Sequence, residues 1–167
     1  DAVKLAGHSC PTVASAYWVS RLALRALYSD ELPCRGGVRV EFPGSRDSGT
    51  TGVMAHIVQL LTGASGDEGF KALSGVFYRN GLMTFGVDGL RQIRFTQREN
   101  LRRVDVSIDL SKVPVSRELR ALMNQCLGGD VDLETSQLFG ELWQDRVRRL
   151  ILEHGEDRDV FDVVQGR

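Results

Sequence analysis

The stretch VASAYWVSRLALRALY at positions 13–28 decides the fold class of this chain. Arg21, Arg25 and Ser29 are spaced by four residues, so they form one narrow polar stripe when the segment is helical. Aliphatic and aromatic side chains cover most of the remaining surface. A helix that is apolar over most of its circumference is packed on several sides. We therefore predict a central helix here, and Pro11 suits its first turn.

Short strands and one further helix are predicted after this central helix. A half-buried strand is expected at 37–42, because Val38, Val40 and Phe42 alternate with charged residues. A helix at 53–61 follows a loop rich in Gly, Ser and Thr. Further short runs, separated by turn-forming pairs, are typical of a meander of hairpins; they lie at 76–79, 82–85, 92–97 and 102–108.

The C-terminal part is predicted to be helical. Helices are expected at 117–127 and at about 133–154, and the tail after Gly155 is expected to be partly mobile. The order of elements, with the strands segregated after a helix–strand–helix opening, indicates an α+β fold. We divide the chain into a core at 1–112 and a helical extension at 113–167, which packs on the core or on a partner subunit.

Composition excludes several classes of protein. The 167 residues carry a formal net charge of −1, and 42% of them are hydrophobic, which fits one domain with one core. A near-neutral chain lacks the basic surface that nucleic acid requires. No segment is long and apolar enough for a membrane-spanning helix. The three cysteines are irregularly spaced, so no disulfide framework is expected and a cytoplasmic location is favoured.

The candidate metal ligands are His8, Cys10 and His56. Imidazole and thiolate two residues apart, in a turn before a helix, suit zinc, nickel, iron or copper. The alternative is a buried cysteine beside a surface histidine. If the N-termini of the two helices converge, His56 completes a set of two nitrogens and one sulfur. Such a set leaves an open coordination position, as in catalytic zinc sites.

Two segments resemble one known family. GHSCP at 7–11, before a long apolar helix, is similar to the Gly-His-x-Cys-Pro motif of the formylmethanofuran dehydrogenase E-subunit family. HIVQLLTGASG at 56–66 is similar to that family's second motif, Asp-Ala-Ile-Gln-x-Leu-Thr-Gly-Cys-Thr-x-Gly. The resemblance spans roughly residues 5–110. It implies an α-β-α-β-β-β core with a mixed sheet, also found in the catalytic domain of glyceraldehyde-3-phosphate dehydrogenase, and it implies a homodimer.

The chain departs from the family at several motif positions. Thr12 stands where the family usually has Gly, and Val53 and Ala64 stand where it has Cys. His56 stands where it has Asp. The metal set that the resemblance implies therefore survives at His8 and Cys10, and His56 is the natural replacement for the missing ligand.

Three functions follow as hypotheses. The first is a protein that binds zinc, or another divalent metal such as nickel or iron, and that binds a small ligand or catalyses a reaction at the open metal position. The second is a non-catalytic interaction module with a vestigial site. The third is a redox or cofactor-handling protein with Cys10 as nucleophile. An open coordination position beside a pocket would favour the first, and a buried Cys10 without ligands the second.

Weaker signals lie in two loops and in the last helix. The loop at 44–52 could bind an anion through free amides and Arg46, although a solvated capping loop is the simpler interpretation. Asp67 and Glu68 could supply a carboxylate. The last helix, around Leu138, Leu142 and Trp143, is expected to cross to the other subunit of a homodimer or to cover the sheet.

Overall fold

A five-stranded mixed sheet and five α-helices form the part of the chain that the structure describes. The structure is a computed structural model that describes residues 1–129 and 131–166. The helices are α1 (Ala2–Ala6), α2 (Pro11–Tyr28), α3 (Thr51–Thr62), α4 (Arg117–Gly128) and α5 (Leu133–Leu152), with a 3-10 turn at Leu110–Lys112. The strands are β1 (Val38–Glu41), β2 (Met83–Thr84), β3 (Ile93–Gln97), β4 (Arg103–Ile108) and β5 (Phe161–Gln165).

The sheet confirms the predicted fold class. Its strand order is β2-β1-β3-β4-β5. The pair β1–β2 is parallel, whereas the other three pairs are antiparallel. From α2 to β4 the elements follow the α-β-α-β-β-β order that the resemblance implied. The protein is therefore an α+β protein with a mixed sheet.

Helix α2 is the central helix that its sequence predicted. It packs on β4 and β5 on one side and on α3 and α5 on others. Ala16, Val19 and Ala23 are completely buried. Pro11 occupies the first turn, where its missing N–H costs no hydrogen bond, and Cys10 is the N-cap residue.

A contact between two glycines joins the end of α3 to the chain before β1. The N–H of Gly36 donates to the Thr62 carbonyl at 2.7 Å. Gly63 ends α3 with φ of 76°, and a Cβ on it would lie 3.1 Å from the Gly36 nitrogen. Glycine is required at position 63 by both the left-handed backbone and the close approach. This contact brings Arg35 next to the last turn of α3.

Two local predictions were wrong, and helix α1 was not predicted. The segment 76–79 is an exposed loop joined to Leu73 by a single bridge at Val76 rather than a strand. The tail after Gly155 contains β5, which pairs with β4 from Phe161 opposite Ile108 to Gln165 opposite Val104. Strand β5 could not be predicted from the sequence, because only its first residue is fully buried and no alternating pattern of apolar residues results.

Helix α5 packs on α2 and α4, and its Val147 and Leu150 belong to the hydrophobic core. The indole Nε1 of Trp143 donates to the Ser9 carbonyl of the same chain at 2.9 Å. The C-terminal extension is thus held to the core through both α5 and β5. Within the described residues, no helix has the length and apolar character needed to cross a membrane. The homodimer stays a prediction.

Candidate functional site

Cys10 lines an open cavity of about 620 Å³ that is bordered by four helices. The residue is 7% exposed. Most of the walls are apolar, and they come from α1, α2, the last turn of α3 and the end of α5: Ala2, Val3, Val13, Ala14, Leu60, Leu61, Val147 and Ile151. The polar side chains in the walls include Ser9, Tyr17 and Arg35. The cavity forms because the N-terminus of α2 meets the C-terminal turn of α3.

His8 is exposed, and its ring is held in one orientation. Its Nδ1 lies 2.9 Å from the carbonyl oxygen of Ala6. A carbonyl can only accept, so Nδ1 donates in this contact, and in the neutral ring the lone pair is on Nε2. This tautomer is one that binds metal ions, with the second nitrogen fixed by a backbone carbonyl.

His56 is exposed on α3 and lines a second cavity, of about 740 Å³. His8 lines neither this cavity nor the one beside Cys10. Among residues 1–129 and 131–166, no three or more His, Cys, Asp or Glu side chains form a group that could hold a metal ion. Cys10 shares its cavity with Leu60 and Leu61 at the C-terminal end of α3, whereas His56 lines the other cavity.

The second cavity is cationic. Arg35, Arg46 and Arg79 line it together with one carboxylate, that of Glu68. A guanidinium nitrogen of Arg46 lies 3.3 Å from Oε1 of Glu68. The backbone amide of Glu68, and to a smaller degree Arg46, holds the pKa of this carboxyl below its usual value. Glu68 is therefore charged at neutral pH, and the three guanidinium groups leave a net positive charge.

The two cavities share a wall. Arg35 and Leu60 line both of them. One guanidinium nitrogen of Arg35 donates to the Leu60 carbonyl at 2.9 Å, which fixes the arginine at the junction. An apolar chamber at Cys10 is thus adjacent to a cationic chamber at His56.

The sequence located part of this site. Cys10, His56, Arg46 and Glu68 were candidates, although Cys10 and His56 were assigned to one metal centre rather than to two cavities. Arg35 and Arg79 were missed, because isolated arginines in loops form no motif. The adjacent glycines were the available signal: Gly36 follows Arg35, and Gly63 allows the close approach.

No protein-family model matches the chain, and no curated protein matches it. The function is therefore inferred from the two cavities and from the side chains that line them.

Proposed function

We propose that this protein binds a small organic molecule in the cavity beside Cys10. The cavity volume of about 620 Å³ carries the proposal. It falls within the range of about 300–1,000 Å³ that is typical of ligand sites, which are mostly apolar with a few convergent polar groups. Tyr17 and Arg35 supply such groups here, and the Cys10 thiol contributes a small polarisable surface.

The surroundings of Cys10 bear on the hypothesis of a vestigial site. Cys10 is buried, His8 is exposed and no metal-binding group occurs among the described residues, so the arrangement meets our criterion for a vestigial metal site. The open cavity that Cys10 lines nevertheless supports binding of an organic molecule there. The thiol lies at the wall of that chamber, so covalent labelling of Cys10 reports whether the chamber is filled.

Labelling of a protein with a single cysteine tests the proposal. Cys34 is exposed and Cys126 is half-buried, so both are replaced by serine to leave only Cys10 reactive. We expect N-ethylmaleimide to alkylate Cys10 through the cavity and 1-octanol to slow this reaction severalfold. Ile151→Trp, which fills the cavity, should slow alkylation without 1-octanol. A rate that neither 1-octanol nor Ile151→Trp changes would contradict the proposal.

We also propose, as a second candidate, binding of zinc or another divalent transition metal at His8 and Cys10. The hydrogen bond that orients the His8 ring supports this, as does the resemblance to the formylmethanofuran dehydrogenase E-subunit family. The full set with His56 does not fit the arrangement described, because His56 lines the other cavity. No chemical step is therefore assigned to a metal.

Elemental analysis after reconstitution tests the metal proposal. Protein loaded with zinc, nickel, cobalt or iron and then dialysed should retain about one ion per chain, as a small set of His and Cys ligands holds one ion. Cys10→Ser should abolish retention. Loss of the metal ion in His56→Ala would show that His56 moves to join the site. Retention of the ion in this variant would place the remaining ligands elsewhere. Wild-type protein without bound metal would contradict the proposal.

A cytoplasmic location also remains our proposal. Cys10, Cys34 and Cys126 are all free, and unpaired cysteines are favoured in a reducing compartment. Localisation of the tagged full-length protein by microscopy or fractionation tests it.

A further inference from the structure

We propose that the molecule bound beside Cys10 is an amphipathic organic anion. Its apolar part fills the Cys10 cavity, and its carboxylate or phosphate group lies among Arg35, Arg46 and Arg79 in the second cavity. This inference rests on the proposed ligand-binding function and specifies the class of ligand.

Adjacency of the two cavities is the first argument. Arg35 and Leu60 border both chambers, so one molecule lying along the end of α3 would contact both. The hydrogen bond from Arg35 to the Leu60 carbonyl uses one of the five guanidinium N–H donors. The remaining donors of Arg35 are available at the point where the apolar chamber ends.

Charge is the second argument. The three guanidinium groups in the second cavity face a single carboxylate, Glu68. The ion pair between Arg46 and Glu68 is half-exposed on both sides, and pairs of that kind contribute little net energy. An incoming anion can therefore share Arg46 at small cost.

Arg79 gives the third argument, because its side chain is placed by backbone geometry rather than by an acidic partner. A Cβ on Gly36 would lie 3.3 Å from Cγ of Arg79, and a Cβ on Gly63 would lie 3.5 Å from its Cδ. The aliphatic stem thus lies against two glycines. Within residues 1–129 and 131–166, no hydrogen bond or ion pair engages the Arg79 guanidinium. A guanidinium held beside two others without a counterion is a ready anion contact.

Four probe molecules distinguish the contribution of the apolar chain from that of the anionic group. Octanoate and octyl phosphate each combine an eight-carbon chain with an anion, whereas 1-octanol lacks the charge and inorganic phosphate lacks the chain. Binding is measured by calorimetry and by protection of Cys10 in the single-cysteine protein. Octanoate or octyl phosphate should bind about tenfold more tightly than 1-octanol, as expected for charge-assisted hydrogen bonds. The tighter of the two identifies the anionic group. Inorganic phosphate should not protect Cys10.

Arg79→Gln is the decisive variant, and Arg120→Gln on the exposed surface of α4 is its matched control. Arg79→Gln should remove the advantage of the anions and leave 1-octanol binding unchanged, whereas Arg120→Gln should change neither. Equal affinity for octanoate, octyl phosphate and 1-octanol would overturn this inference while leaving the proposed function intact. The inference would also be overturned if Arg79→Gln weakened the binding of charged and neutral probes equally. It would likewise be overturned if inorganic phosphate bound as tightly as octyl phosphate. Absence of binding by all probes would overturn both proposals.

Discussion

At the scale of single residues, Gly155 shows how tightly the end of α5 is packed. A Cβ at this position would fall inside the indole of Trp18. The indole cannot move aside easily, because Trp18 is buried and its Nε1 donates to the Ile151 carbonyl at 3.2 Å. Gly155→Ala should therefore lower the free energy of unfolding by about 1–3 kcal/mol, the usual cost of overpacking. Urea unfolding monitored by circular dichroism measures this loss.

Gly140 provides the matched control for that substitution. It lies inside α5, and a Cβ there would have no neighbour within 4 Å. Gly140→Ala should raise the free energy of unfolding by up to about 1 kcal/mol, because alanine favours helix more than glycine does. Similar effects of the two substitutions would contradict the packing that places Trp18 against Gly155.

The phenol of Tyr28 makes stability depend on pH at the alkaline end. Burial, and to a smaller degree the nearby Cys34 thiol, raises the pKa of Tyr28 above its ordinary value of about 10. The folded state thus keeps the neutral phenol at a pH where the unfolded chain has lost the proton. The contribution of Tyr28 to stability is complete below about pH 10 and is lost as the pH rises towards the folded pKa.

Ultraviolet titration of tyrosinate measures this effect. The difference between wild type and Tyr28→Phe should show one tyrosine that ionises later than an exposed tyrosine. Unfolding by urea at successive alkaline pH values should show a smaller decline in Tyr28→Phe than in wild type. A difference titration centred at or below the ordinary value would contradict the assigned burial.

At the scale of elements, Arg146 fastens α5 to the segment before α4. Its Nε and one terminal nitrogen donate to the Val113 carbonyl at 3.1 and 3.0 Å, and the side chain is 9% exposed. Arg146→Met removes both donors and leaves a buried carbonyl without them, which costs about 1–3 kcal/mol. Thermal or urea unfolding should show that loss.

Arg148 is the control for Arg146, on the exposed side of α5. Its ion pair with Asp145, at 2.8 Å, joins two side chains that are each about half exposed. Exposed pairs of this kind contribute about 0–1 kcal/mol, so Arg148→Met should have a much smaller effect. Equal losses in the two variants would show that Arg146 contributes only as part of the helix surface.

The elements that were predicted from the sequence share one property. Their own side chains are buried, and this burial produces a recognisable pattern of apolar residues. Helix α2 is apolar on most sides, and β3 alternates buried with half-buried residues from Ile93 to Gln97. Strand β5 lacks such a pattern, since its pairing with β4 comes from the open edge of the sheet and not from side-chain burial. The packing of α5 could not be predicted from the sequence either, because the indole of Trp143 donates its hydrogen bond to a carbonyl 134 residues away in the chain.

At the scale of the whole molecule, the candidate site arises from elements that are distant in sequence. The wall beside Cys10 combines Val13 of α2 and Leu60 of α3 with Val147 of α5. Residue type and local spacing identified Cys10 and His56 as unusual, but only the packing of α2 against α3 decides that they lie in different cavities. The arginine cluster likewise depends on the approach of Gly36 to Gly63; both glycines are visible in the sequence, but their approach in space is not.

The homodimer stays a prediction, and we propose that its interface lies outside α5. Trp143 of α5 is engaged within its own chain, so α5 has lost the side chain that best suited an interface. The loop between α3 and β2 instead exposes several large apolar side chains: Phe70, Leu73, Val76 and Phe77. Clustered exposed apolar residues mark association sites, and we propose that a second copy, related by two-fold symmetry, buries this patch.

Light scattering at micromolar concentration should give the mass of a dimer for the wild-type protein. Phe77, which is 73% exposed, contributes to that patch without supporting the core, so Phe77→Asp should lower the mass to that of a monomer and leave the fold intact. Leu138, which is 38% exposed on α5, supplies the matched control, and Leu138→Asp should leave the dimer unchanged. If Leu138→Asp dissociated the dimer and Phe77→Asp did not, the interface would lie on α5. A monomeric wild type would remove the homodimer altogether, and the exposed loop would then lack the second copy expected to cover it.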